Sequence, residues 1–383
     1  MERAWRWGVV AAVVAALVAL PSAVGAWPAG QGEPDAGRLL ERVRAASGSP
    51  YEGLAETTGA LGLPVTDGLA DVASLLGGRT QQRVWWRSAD DWRSDVLTPT
   101  GEESTRETAT GRVVWDYEAN RAVVGDGVGS GGTAGGRGSP GTASVRLPRA
   151  ADTLPPSLAA RLLSDATAGQ VGTLPSAFVA GRAADGLRLT PGEPLGSVDR
   201  VDVWADRASG VAVRVEVYGR GADRPALAST FLDFSDARPA SATTAFTPPP
   251  GARVRQAVDT GLSDLLGSSY GWTRGGELPE RLAGFARVTS TGGLERVGEY
   301  GRGVTRFAVA LLPDPQASSL RRQLLAVPGA RRLEGGVAVT VGPVGLFLGA
   351  SSGSGESPVI TGTLTPEGLA RAAAELADRV ASS

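Results

Sequence analysis

The stretch RVWWRSADDWRSDVL, residues 83–97, decides the architecture. Val84 and Trp86 alternate with Arg83, Trp85 and Arg87; after a short turn, Trp92, Ser94 and Val96 alternate with Arg93, Asp95 and Leu97. A two-residue repeat with one apolar side marks a strand with one face packed and the other wet. In GRVVWDY, 111–117, Val113, Trp115 and Tyr117 alternate with Arg112, Val114 and Asp116, and DYEANR, 116–121, has the polar residues of a hairpin end. Residues 80–124 therefore read as an antiparallel meander.

Upstream, Ala36, Leu39, Leu40 and Val43 line one side of a helix over 34–46, which Ser47-Gly48 ends, and an extended segment begins at Tyr51. Downstream, 125–144 is Gly/Ser-rich and aperiodic, a mobile loop by composition. A short helix over 157–165 follows Pro155-Pro156 with Ser157 as its cap, and Leu187 and Leu189 mark a strand. VDVWADRASGVAVRVEV, 201–217, is a hairpin turning at 206–210; a further strand covers 230–234, and Pro248-Pro249-Pro250-Gly251 closes the unit. A second unit holds strands at 304–312, 337–341 and 359–364, with a helix marked by Leu320 and Leu324. Its last helix opens on Thr365-Pro366-Glu367 and buries Leu369, Ala372, Ala373, Leu376 and Val380. The expected division is a leader at 1–26, a large domain at 34–255, a connector at 256–276 with a short apolar helix at 262–266, and a small domain at 277–383.

The leader, WGVVAAVVAALVALPSAVGA at 7–26, follows Arg3 and Arg6 and contains no charge. It reads as a secretory signal cleaved after Ala26 or, second, as an uncleaved anchor in the cytoplasmic membrane. Either way Arg3 and Arg6 stay inside and the remainder is exported. With no Cys, lipoprotein modification and disulfides are excluded. A net charge of −2 with interspersed signs gives no footing for nucleic acid. The basic residues are all Arg, and Asn120 and Ile360 stand alone of their kinds, a bias of GC-rich genomes such as those of actinobacteria.

The absence of His and Cys removes Ser-His-Asp and Cys-His catalysis and metal sites built on those ligands. Carboxylate pairs are the remaining acid–base option. Asp90-Asp91, Asp202 with Asp206, and Glu102-Glu103 read instead as solvated residues of turns and strand edges. The Gly-rich loop lacks the GK[ST] ending of a phosphate loop. The expectation is a protein that is not an enzyme and needs no cofactor. Of the strand tryptophans, Trp85 and Trp86 must point to opposite faces. Residues 59–78 carry Leu61, Leu63, Leu69, Leu75 and Leu76, too apolar for an idle loop: either a lid over the sheet or a helix packed permanently on it.

The order of these phrases resembles the LolA-like lipoprotein carriers, above all the RseB (MucB) branch of sigma-factor regulatory proteins. Tyr51-Glu52-Gly53 resembles the family's first strand; RVWW with DWR, its paired strands; GRVVWDY, its next hairpin. VAGR (179–182) with LRLTP (187–191), the 201–217 hairpin and FTPPPGARV (246–254) follow in the family's order. LPERLAGF (278–285) and YGRGVTRF (300–307) resemble its C-terminal phrases, with Arg302-Gly303 in place of an Asp-Gly turn. The resemblance implies an α+β fold: an antiparallel half-barrel with covering helices, plus a smaller C-terminal α+β domain. It also implies a hollow that takes a lipid or lipoprotein acyl chain, and a membrane-bound anti-sigma factor as partner. A lipid or lipoprotein carrier serving an exporter is the alternative, and a ligand-free, membrane-anchored interaction module is another. Alternation nominates Val84, Trp86, Trp92, Trp115, Val203, Val213 and Val215 as liners of the hollow.

Overall fold

The computed structural model describes residues 35–59, 77–98, 101–109, 111–125, 149–256, 278–288, 297–327, 329–351 and 355–382. The leader, the leucine-rich 60–76 segment, the Gly/Ser-rich stretch from 126 and the 262–266 helix lie outside them. No helix among the described residues is long and apolar enough to cross a membrane.

The chain opens with α1 (Ala36–Ala45), started by the Asp35 carboxylate, which accepts from the Arg38 amide at 2.9 Å. Then come β1 (Tyr51–Gly59), β2 (Arg79–Ser88), β3 (Asp91–Thr98), β4 (Gly101–Thr108), β5 (Gly111–Asp116) and β6 (Arg121–Gly125). A 3-10 turn (Ala150–Thr153) leads into α2 (Pro155–Leu162). After it run β7 (Val171–Val179), β8 (Arg182–Leu189), β9 (Val198–Asp206), β10 (Ala212–Gly219) and β11 (Leu227–Ser235). The single turn α3 (Ser241–Thr244) precedes β12 (Arg253–Gln256). Ser157 is not the cap of α2: the helix starts two residues earlier, with Leu154 at the N-cap and the prolines in the first turn. A missing N–H costs nothing there, so the prolines open the helix instead of preceding it.

These strands form one 12-stranded sheet in the order β12-β6-β5-β4-β3-β2-β1-β11-β10-β9-β8-β7. Every pairing is antiparallel except β12, which joins β6 in parallel after the prolines. β1 is the seam between two unlike parts. On one side, β7 to β11 roll up: Cα atoms of β7 come within 8 Å of those of β11, although three strands separate them in the sheet. The roll is filled by Leu39, Leu40 and Val43 of α1 and Leu158 and Ala159 of α2, packed on Leu187, Val201, Val203 and Val215. On the other side, β2 to β6 and β12 extend as a wing.

The small domain is an 8-stranded sheet of β13 (Arg281–Leu282), β14 (Phe285–Val288), β15 (Val297–Arg302), β16 (Thr305–Pro313), β17 (Arg331–Leu333), β18 (Gly336–Val341), β19 (Val344–Gly349) and β20 (Glu356–Gly362). It lies between two helices, α4 (Asp314–Ala326) and α5 (Pro366–Ser382). Leu369, Ala372, Ala373 and Leu376 of α5 pack on Phe307, Val309, Phe347 and Ile360. Ala317 and Leu324 of α4 pack on the opposite face, against Leu312, Val337, Val339 and Leu348. Thr365 caps α5, its hydroxyl accepting from the Gly368 amide at 3.1 Å. The domains are joined by backbone as well as by side chains: Gly196 bridges Leu364, and the Thr365 amide donates to Leu195 O at 2.8 Å. Val304 reaches into the core of the large domain, and the Gly303 amide donates to Asp165 Oδ2 at 3.0 Å.

Candidate functional site

Residues opposite one another in a ladder share a face. Trp86 lies opposite Trp92, Trp92 opposite Glu107, and Glu107 opposite Arg112, giving one row across the wing. The next row runs Val84, Ser94, Thr105, Val114 and Val123. Through Gly53 and Phe234 this row continues onto the helix-covered face of the rolled half.

Near the seam this face is packed by the chain itself. Tyr51, Trp86 and Trp92 stack in series, with centroids 5.8 and 5.6 Å apart and planes within 4° and 9°. Val84 is buried with Leu154 and Phe231. The Gln82 amide donates to Ala150 O at 3.0 Å and to Thr153 Oγ1 at 3.1 Å, so the 3-10 turn is tied down over β2. Farther out on the wing no described helix covers the face, and Val96, Val114 and Val123 are half-buried. There the ladder carries two ion pairs, Arg112 Nη2 to Glu107 Oε2 at 2.5 Å and Arg121 Nη2 to Asp116 Oδ2 at 3.4 Å, with the row of Thr105, Val114 and Val123 between them and Glu103 opposite Val96.

The seven nominated liners therefore fall into three places. Val84, Val203, Val213 and Val215 are fully buried core residues. Trp86 and Trp92 stand where the packed face gives way to the open wing. Trp115 is on the opposite face: it pairs with Ser104, which pairs with Asp95, in register with Arg83 and not with Val84. It is covered by the chain between β11 and β12, a strap across the back of the wing. Arg87 donates to Pro239 O, the Thr244 hydroxyl donates to Asp91 Oδ1 at 2.5 Å, and the Phe246 ring lies 5.6 Å from Trp115. Arg106, buried beneath the strap, sits 4.9 Å from the Phe246 ring. The lid residues Leu61, Leu63, Leu69, Leu75 and Leu76 lie outside the described residues.

Sequence reading missed the strap and missed β4, whose GEESTRET is polar on both faces. It also mistook two of the carboxylates. Asp202 and Asp206 are buried strand residues in ion pairs, not solvated turn residues. Arg188 grips both oxygens of Asp202 at 2.7 Å. Asp206 accepts from Arg182 at 2.8 and 3.0 Å and from the Ser209 amide at 2.7 Å. Burial alone would raise the Asp206 carboxyl, but Arg182 and Ser209 outweigh it and hold it below its ordinary value. Glu102 goes the other way, raised by burial and by Asp95 beside it. Each of these carboxylates is engaged by cations or by a neighbouring acid within the sheet.

No family model matches the sequence, and no curated protein matches it. Among solved structures, the Pseudomonas aeruginosa MucA/MucB complex is similar at 16% identity, covering 88% of this chain and 97% of that one, with a TM-score of 0.49. MucB in complex with MucA(peri) is similar at 15% identity, over 88% and 97% of the two chains, with a TM-score of 0.47. A LolA superfamily protein from Nitrosomonas europaea is similar at 13% identity, over 52% of this chain and 91% of that one, with a TM-score of 0.21.

Proposed function

We propose that this is an exported binding protein in which the open wing of the large sheet takes an apolar ligand, an acyl chain of a lipid or lipoprotein. Occupancy is relayed to a membrane-bound anti-sigma factor. The observation that supports the reading is the division of one sheet face. α1 and α2 fill it over the rolled half, while on the wing Val96, Val114 and Val123 stay half-buried beside the Trp86–Trp92 stack. Binding is thus confined to the wing, and Val203, Val213 and Val215 are not liners.

An alkyl chain laid on this surface gains about 0.8 kcal/mol for each methylene removed from water. Micromolar affinity corresponds to about 8 kcal/mol, so roughly ten methylenes supply it before ordering costs are subtracted. The regulatory reading is preferred to simple carriage because the small domain is hydrogen-bonded and packed onto the large one, placing a second surface within reach of the ligand-bearing unit. The sequence phrases of the RseB-like branch agree with it.

The test begins with mass spectrometry of an organic extract of the purified protein, followed by titration with a fluorescent fatty acid. Saturable binding that falls about tenfold in Val114→Gln, with the circular dichroism spectrum unchanged, is the expected result. Neither co-purified lipid nor saturable binding would leave a ligand-free interaction module. Capture of an anti-sigma factor's extracytoplasmic segment that changes with fatty acid added separates regulator from carrier.

A further inference from the structure

We propose that the small domain holds a binding site for a phosphate-class oxyanion in the cavity beside α4. The cavity, about 250 Å³, runs along the helix side that presents Asp314, Ser318, Arg321 and Arg322, with Ser351 and Ser357 opposite. Residues three, four and seven apart share one side of a helix, so a single helix face supplies one wall. The other wall comes from Ser351 and from Ser357 of β20.

The cavity is rich in donors and poor in acceptors. Two guanidinium groups face one carboxylate, and that carboxylate already accepts from the Ser351 hydroxyl at 2.6 Å. Arg321 is fixed in place by one bond, Nη2 to Gly349 O at 2.6 Å, which leaves most of its fork of donors unspent. Arg322 makes no ion pair among the described residues. α4 has no side-chain cap, so the positive end of a 13-residue helix lies at this wall.

The second, independent observation is Ser357. It is 1% exposed, and its buried hydroxyl has no hydrogen-bond partner among the described residues. A buried hydroxyl without a partner destabilises the fold, and an acceptor arriving in the cavity relieves that cost. Donors on the helix and on the strand converge from different directions. This suits an anion whose oxygens point several ways, whereas a planar carboxylate would satisfy one guanidinium fork and leave Ser357 unmet. The chemistry is common to free phosphate and to the phosphodiester of a lipid headgroup. It uses none of the wing residues and stands apart from the ligand reading above.

The experiment is calorimetric titration of the whole protein with inorganic phosphate and, separately, with dihexanoyl phosphatidylglycerol below its micellar concentration. Saturable binding of at least one probe, weakened about tenfold in Arg322→Gln, is expected. Binding of phosphate assigns the free ion as a source; binding of the lipid alone assigns the headgroup. Ser357→Ala should weaken binding while raising the thermal midpoint of the ligand-free protein, two changes of opposite sense that a merely structural serine would not produce. Absence of saturable binding by both probes overturns the proposal. So does wild-type affinity in both variants.

Discussion

The two halves of the 12-stranded sheet share a seam strand and a continuous face, yet they solve burial differently. The rolled half, β7 to β11, buries Val201, Val203, Val215 and Leu187 under helices that the same domain supplies. The wing, β2 to β6, puts its helix-like cover on the back instead, where a strap pins Trp115 beneath Phe246. Its front keeps valines half-buried and polar groups paired within the sheet. A surface sealed by its own helices is core, whereas a surface left half-covered can exchange partners. The difference suits the proposed division, with stability drawn from one half and binding on the other.

The comparison breaks most severely at the seam. A Cβ added at Gly53 would stand 2.1 Å from the Asp233 carbonyl oxygen, a backbone atom with little room to yield. The bulge between β1 and β11 falls next to this position, so the strands approach closely just where the roll begins. Gly53→Ala is expected to cost about 4 kcal/mol, the scale of severe overpacking, and to uncouple both halves in one transition. Urea unfolding followed by tryptophan fluorescence measures it; a loss within about 0.5 kcal/mol would mean that the seam is slack.

Next in size is a contrast between matched truncations. Leu40, 1% exposed in the rolled core, should lose about 2–5 kcal/mol on substitution by Ala. Val114→Ala on the half-buried wing should lose about 1 kcal/mol or less, because fewer contacts disappear. Equal losses in chemical denaturation would show that the wing is as tightly packed as the roll and would remove the physical basis for binding there.

How much of this was readable beforehand depends on what each signal carries. Alternation placed Val84 with Trp86, and Trp92 with Ser94 and Val96, because every second residue of a strand faces the same way. It could not carry that parity from β3 to β5, since β4 offers no apolar side to count from, and Trp115 was assigned to the wrong face for that reason. The helix stripes were legible at α1 and α5, and the cap at α5, where Thr365 does the capping; the Asp35 cap of α1 was not read. The strap was not, because Pro239, Thr244 and Phe246 bind residues more than a hundred positions away and follow no period. The buried aspartates were misread on composition: charge suggests solvent, and only the cross-strand arginines make burial tolerable.

Those aspartates supply the smallest and most diagnostic contrast, because acid acts with opposite sign on Asp206 in the roll and on Glu102 in the wing. In the rolled half, Asp206 and Asp185 titrate below their ordinary values. Burial opposes this, but Arg182 and Ser209 in the first case, and Arg207 and Arg42 in the second, prevail. A carboxyl depressed in the fold stabilises it above the unfolded value of about 4, and that contribution fades as pH falls through the folded value. On the wing, burial and Asp95 raise Glu102, so its ionised form strains the fold, and the strain is relieved as pH falls through the raised value. Asp206→Asn should therefore cost about 1–3 kcal/mol at pH 7, the scale of lost charge-assisted hydrogen bonds, and progressively less below pH ~4. Glu102→Gln should instead raise the thermal midpoint at pH 7 and converge on wild type in acid. Thermal melts of the two variants from pH 7 to pH 3 read both trends. If the Asp206→Asn penalty persisted undiminished at pH 3, the ion pair would not be what stabilises the roll, and the loss would belong to packing around the turn at Ser209.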